Sequence, residues 1–269
     1  MREIDPIRLF SDYLTVTGVA HIEPEPFGDP ELVGKRLGLL HGSSWITFWA
    51  NYFGRLHLPG VHLVNVGNEA VQINFMEAHA RQEVVPPRSN IDAFIRYALD
   101  LVELARVDAV LLTCSTMNRA YLEVREALSP RSVPVVQIDR PMMERAVEVG
   151  GRLLVVATHG PTVKSTKSLL RDTAAEMGSG IESEGLTVEE AWHRLSTGDV
   201  LGHNQILADR IRGALQDKQI SAVVLAQLSM TVFLLSFKDP IREFGVPVLT
   251  SGQYGFERVR EVLSGQQAQ

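Results

Sequence analysis

Residues 107–117 read VDAVLLTCSTM and residues 220–230 read ISAVVLAQLSM, and the two align without a gap. Ala109 falls on Ala222, Val110 on Val223, Leu112 on Leu225 and Met117 on Met230. Each segment is a short, β-branched, unalternating apolar run that ends in small polar residues. A parallel strand covered on both faces needs such a run, because neither face meets water. The same alignment sets Cys114 against Gln227 and Thr116 against Ser229. A weaker echo follows each segment at a comparable distance, SVPVVQID at 132–139 and GVPVLTSG at 245–252. Any two buried strands share composition, but the common order of both echoes points to two related βαβ lobes.

Working outward, further apolar runs lie at Arg36–Leu40, Val61–Val66, Val133–Ile138, Arg152–Ala157 and Val246–Leu249. Helical patterns fill Asn90–Ala105, Arg119–Ala127, Pro141–Val149 and Thr166–Met177. Strands alternating with helices predict parallel sheets with right-handed crossovers. The expected fold is α/β, with two pseudo-symmetric lobes, each a mainly parallel sheet flanked by helices, and a site in the cleft between them. The expected first lobe takes residues 35–139 and 252–269, and the second takes 140–251. Residues 1–34, with the Pro-rich stretch HIEPEPFGDPE at 21–31, read as an N-terminal arm suited to wrapping a partner subunit.

In open parallel sheets, ligands sit beyond the carboxyl ends of the strands, where helix N-termini aim backbone N–H groups outward. Four corners of this kind are rich in small hydroxyl residues: HGSS (41–44), TCSTMN (113–118), THGPT (158–162) and QLSMT (227–231). Capping a helix is the other role open to each serine or threonine; their clustering is what suggests an anion site, a carboxylate above all. None of the corners matches a phosphate loop or a dinucleotide fingerprint, so no nucleotide cofactor is expected.

Composition narrows the class. The chain is 45% apolar and 22% charged with a net charge of −6, and no basic run is long enough to track phosphates, which argues against nucleic acid. The start, MREIDPIRLFSDYL, is not built like a signal peptide. The longest apolar run, Ala222–Phe237, is too short and too interrupted for a membrane span, and reads as a buried strand leading into a helix. A single cysteine excludes an intrachain disulfide and a Cys-rich zinc site, and fits a reducing cytoplasm. That cysteine, Cys114, is either a small apolar filler or, at a helix N-terminus where thiolate is stabilised, a reactive group.

With the elbows TCST and AQLSM on either side of VPVVQIDRPMMERAVEVGGRLLVVATHGPTVKST, the chain resembles the aspartate/glutamate racemase superfamily from about Lys35 to Leu263. That superfamily includes glutamate and hydantoin racemases, arylmalonate decarboxylase and maleate isomerase. The resemblance implies a substrate enclosed by two lobes, with the C-terminal helix, here Phe256–Leu263, returning to the first. It implies Cys114 as the first-lobe thiol, with Ser115 and Thr116 binding the substrate carboxylate. The second-lobe thiol of the racemases has no counterpart, since Gln227 stands there. A glutamine amide neither gives nor takes a proton near neutral pH, so the two-thiol mechanism does not transfer intact. The tyrosine that arylmalonate decarboxylase and maleate isomerase, the single-cysteine relatives, place at the end of the turn matching ATHG is also missing, with Gly160 in its place.

These readings imply a cofactor-independent isomerase of a small carboxylic acid. Cys114 would be base, acid or nucleophile, with Gln227 and Ser229 assisting in the second lobe. Gly42, Ser43, Ser115, Thr116, Thr158, His159 and Thr162 would hold the carboxylate and an enediolate-like state. A cofactor-free decarboxylase of a malonate-type acid and a non-catalytic carboxylate-binding protein are the alternatives. His203 is a second candidate acid or orienter, Asp199 a turn residue, and Glu69 a residue of the first lobe's rim. His57 and His62 lack a third ligand, so no metal is expected. A homo-oligomer is expected from the arm and the resemblance; neither membrane nor nucleic acid is an expected partner.

Overall fold

The computed structural model describes residues 5–17, 28–216 and 219–265. The chain divides into two compact units, one running to Gln137 and resuming at Phe256, the other covering Ile138–Gly255.

The first unit contains α1 (Pro6–Thr17), β1 (Arg36–His41), α2 (Ile46–His57), β2 (His62–Gly67), α3 (Glu69–Ala80), α4 (Arg88–Glu103), β3 (Ala109–Leu112), a 3-10 turn at Ser115–Ala120, α5 (Tyr121–Leu128) and β4 (Val135–Gln137). The second contains α6 (Arg140–Val149), β5 (Arg152–Ala157), α7 (Gly160–Glu176), β6 (Glu182–Thr187), α8 (Glu189–Ser196), α9 (Val200–Gln216), β7 (Ala222–Leu225), a 3-10 turn at Leu228–Val232, α10 (Phe233–Ser236), α11 (Pro240–Phe244) and β8 (Val248–Thr250). Helix α12 (Ser251–Leu263) begins in the second unit and ends in the first.

Both sheets are parallel and four-stranded, ordered β2-β1-β3-β4 and β6-β5-β7-β8. The repeated segments are the inner strands β3 and β7, and all four residues of each are buried. Burial on both faces explains the unalternating sequence, each fully buried leucine or valine contributing about 1.5–3 kcal/mol. β4 and β8 are shorter than the apolar runs that announce them. Pro134 and Pro247 give carbonyls to Val110 and Val223, but a proline has no N–H, so regular pairing starts only beyond it.

The strand β6 is absent from the sequence-based expectation. It is a polar edge strand, ESEGLT, and Arg152 of the adjacent β5 pairs with its Glu182 and Glu184 at 3.0 and 3.4 Å. Helix α7 begins at Gly160 rather than at Thr166, with Pro161 in its first turn where a missing N–H costs nothing. The arm is described only in part. Helix α1 buries none of its residues, and residues 18–27, most of the Pro-rich stretch, lie outside the described residues.

Candidate active site

In the first unit the β1–β3 ladder is regular to Leu40 and Leu112, and Thr113 N–H still donates to Leu40 O at 3.1 Å. The next positions in register are His41 and Thr113, then Gly42 and Cys114. His41 is fully buried; its Nδ1 lies 2.6 Å from Thr113 Oγ1 and its Nε2 lies 2.9 Å from Asn65 Oδ1. Burial lowers its pKa to about 4, with the Asn65 bond pulling weakly the other way, so the ring is neutral at pH 7. Its tautomer follows from its neighbours. Asn51 Nδ2 donates to Thr47 O at 2.8 Å, which fixes that amide, and also to Asn65 Oδ1 at 3.2 Å. Asn65 therefore turns its oxygen to His41 and accepts from Nε2, while the Thr113 hydroxyl, with its single proton, lies 2.6 Å from Nδ1 and 3.1 Å from Leu40 O.

Cys114 is half-buried and closes the strand in an extended conformation ahead of the 3-10 turn. A Cβ on Gly42 would stand 2.6 Å from its Sγ and 3.8 Å from Gln72 Oε1. Gly42 is thus the seat of the sulfur, and any side chain there would evict it. On its other side Sγ lies 3.0 Å from Thr116 Oγ1. The turn's first internal bond runs from Met117 N–H to Cys114 O, which leaves the amides of Ser115 and Thr116 ahead of it. Ser115 is buried, while Ser43 and Thr116 are half-buried. Glu69 is exposed at the start of α3 and accepts from Ser44 N–H at 2.8 Å and from the Ser44 hydroxyl. Those bonds hold its pKa below the usual carboxylate value.

The second unit repeats this corner with other chemistry. Its ladder is regular to Val156 and Leu225, and Ala226 N–H donates to Val156 O at 2.9 Å. Ala157 and Ala226 occupy the positions of His41 and Thr113; Thr158 and Gln227 occupy those of Gly42 and Cys114. Gln227 Oε1 accepts from Thr158 N–H at 2.8 Å and from Thr158 Oγ1 at 2.9 Å. A backbone N–H only donates, so the oxygen must face it and the NH₂ of Gln227 points elsewhere. Both donors of Thr158 are spent on holding the glutamine. Ser229 and Thr162 are buried in the same corner region, in the turn after β7 and in the first turn of α7.

His159 precedes α7, half-buried with its ring edge-on to Trp192 at 5.1 Å, and burial lowers its pKa. His203 is fully buried and donates from Nδ1 to Ala191 O at 2.8 Å, which places it in the packing of α8 against α9. Asp199 accepts from Gly202 N–H at 2.9 Å and caps α9. His57 stacks on Phe256, with ring centroids 6.2 Å apart, and His62 is buried in β2. No cluster of three metal-ligating side chains occurs among the described residues, and no described helix is long and apolar enough to cross a membrane. Sequence reasoning placed His41 and Thr113 in the HGSS and TCSTMN corners but gave them no role of their own, and it passed over Asn51 and Asn65. The one available signal was a histidine ending an otherwise apolar strand.

The fold is similar to that of glutamate racemase RacE1 from Bacillus anthracis (16% identity, TM-score 0.58, covering 87% of this chain and 83% of that one). It is likewise similar to allantoin racemase from Klebsiella pneumoniae (19%, 0.60, 87% and 90%). A third match is an aspartate racemase homologue from Pyrococcus horikoshii (16%, 0.60, 86% and 99%). No curated protein gives a significant match to the sequence. The chain belongs to the Asp/Glu/Hydantoin racemase family, whose model matches residues 65–259, and is accordingly an enzyme of the racemase and isomerase class.

Proposed function

We propose that the chain is a cofactor-independent isomerase of a small carboxylic acid, with Cys114 as its reactive group. In the stereochemical version, the Cys114 thiolate takes the proton next to the carboxylate. The bonding pair moves into an enediolate-like state, which turns its opposite face to Cys114 before the thiol returns the proton to carbon, because Gln227 supplies no second acid. In the geometric version, the thiolate adds to a double bond and leaves after rotation. The amides and hydroxyls of Ser115 and Thr116, with Gly42 and Ser43, hold carboxylate oxygens in the first lobe. In the second lobe Gln227, assisted by Ser229, His159, Thr162 and the bracing Thr158, orients substrate. The observation that carries the reading is the thiol seated on Gly42 beside the Thr116 hydroxyl.

Gln227 also favours a second reading, decarboxylation of a malonate-type acid, because that reaction needs only one proton delivered and a glutamine delivers none. Both readings go with a reducing cytoplasm and a homo-oligomer, the latter read by sedimentation.

The test is proton NMR in deuterium oxide with glutamate, aspartate, allantoin, hydroxy acids, maleate and malonates. Exchange, isomerisation or carboxylate loss is expected in the wild type. It should fall at least about 10³-fold in Cys114→Ala. Full activity in Cys114→Ala sinks the assignment, and binding without turnover favours a carboxylate-binding protein instead.

A further inference from the structure

We infer that His41 is a positioning residue for Cys114, acting through the Thr113 hydroxyl to hold the corner on which the thiol sits. The inference rests on the reading of Cys114 as the reactive group. Three observations carry it.

The first is geometric. The His41–Thr113 contact at 2.6 Å is the rung immediately below the Gly42–Cys114 seat. The two corners are thus pinned together one residue before the sulfur packs against glycine.

The second is a comparison inside the same chain. The second lobe closes the equivalent strands with Ala157 and Ala226, both buried. The fold itself therefore needs no polar rung here. Burying a histidine and a threonine is costly unless every group is bonded, and the pair occurs in the lobe that carries the thiol.

The third is the completeness of the anchorage. His41 is itself fixed by Asn65, Asn65 by Asn51, and Asn51 by Thr47 O in α2. The chain of bonds ties β1, β2, β3 and α2 beneath one side chain. A fully satisfied buried network of this sort selects one geometry over neighbouring ones. His41 reaches no substrate, since it is sealed below the corner.

The experiment separates the two ends of the ring. In His41→Asn the shorter amide takes the place of Nδ1 and keeps Thr113; in His41→Gln the longer one takes the place of Nε2 and keeps Asn65. Thr113→Val cuts the same bond from the partner side in a side chain of the same shape, and with it the Thr113 Oγ1 bond to Leu40 O at 3.1 Å, so the His41 pair carries the discrimination. The readout is the rate of Cys114 alkylation by iodoacetamide at pH 7, with melting temperature followed in parallel. His41→Asn is expected within about twofold of wild type, and His41→Gln and Thr113→Val slower by about fivefold or more. Equal rates in all four proteins overturn the inference. So do losses in His41→Asn and His41→Gln that match each other and track melting temperature, because those belong to a general structural role. The rate ratios need no substrate, so failure here is distinct from turnover that survives in Cys114→Ala.

Discussion

In the first lobe the two rungs above the β1–β3 ladder are histidine to threonine, then glycine to cysteine. In the second lobe the matching rungs above β5–β7 are alanine to alanine, then threonine to glutamine. One backbone corner is thereby used in two ways. A glycine opposite position 114 makes room for a sulfur that packs onto bare backbone. A threonine opposite position 227 offers an N–H and a hydroxyl that seize the glutamine oxygen. The first arrangement leaves a titratable atom at the rim; the second leaves a fixed pair of N–H donors. The duplicated strand thus fixes where a side chain emerges, and the residue facing it decides what that side chain can do.

The largest expected effect sharpens the lower rung of this comparison. His41 titrates near 4 in the folded chain against 6.5 unfolded. Between those values the unfolded state binds a proton that the folded state refuses. Stability is therefore full above pH 6.5 and falls as the pH drops towards 4, by about 3 kcal/mol for this group alone. Half-buried His57 and His159 and buried His203 are lowered too and add in the same direction. Urea titrations across this range should show the fall, and His41→Asn should remove part of it. An unchanged slope in the variant would deny His41 its buried neutral state.

Next comes the donor role of Gln227. Gln227→Glu keeps an oxygen towards Thr158 but replaces the NH₂ with a second acceptor. Carboxylate binding, read by ligand-observed NMR, should weaken about 10- to 100-fold, the scale of a lost hydrogen bond to a charged group. Undiminished binding would show that Gln227 presents nothing to the ligand.

The smallest effects concern space. Gly42→Ala puts a carbon 2.6 Å from Sγ and should cost about 1–2 kcal/mol by overpacking while slowing Cys114 alkylation. At Gly160, by contrast, the nearest atom to an added Cβ is Thr187 Oγ1 at 4.0 Å, so Gly160→Ala should stay within about 0.5 kcal/mol. Equal tolerance at the two positions would refute the glycine seat.

The inner strands were legible because burial on both faces forces a continuous apolar run, and duplication printed that run twice. The polar edge strand β6 was not, since an edge faces solvent and draws its pairing from backbone and from Arg152 rather than from apolar residues. The corners were legible as clusters of small residues, and Cys114 and Gln227 as a matched pair. The orientation of Gln227 was hidden because it depends on Thr158, far away in sequence. The His41–Thr113 rung was hidden for the same reason: the two residues meet only when β1 and β3 lie side by side.

The exchange at the second corner also constrains how the chain can change. A thiol at position 227 in the pose of Cys114 would need bare backbone opposite it, and Thr158 carries a branched side chain there. Conversely, Thr158→Gly at the present corner strips the glutamine of one of its two donors and loosens it. Each single step is disfavoured while the other residue stands, a non-additivity expected of direct neighbours. A second thiol in the pose of Cys114 is therefore expected from Thr158→Gly combined with Gln227→Cys rather than from either change alone, so the two positions behave as one unit of design.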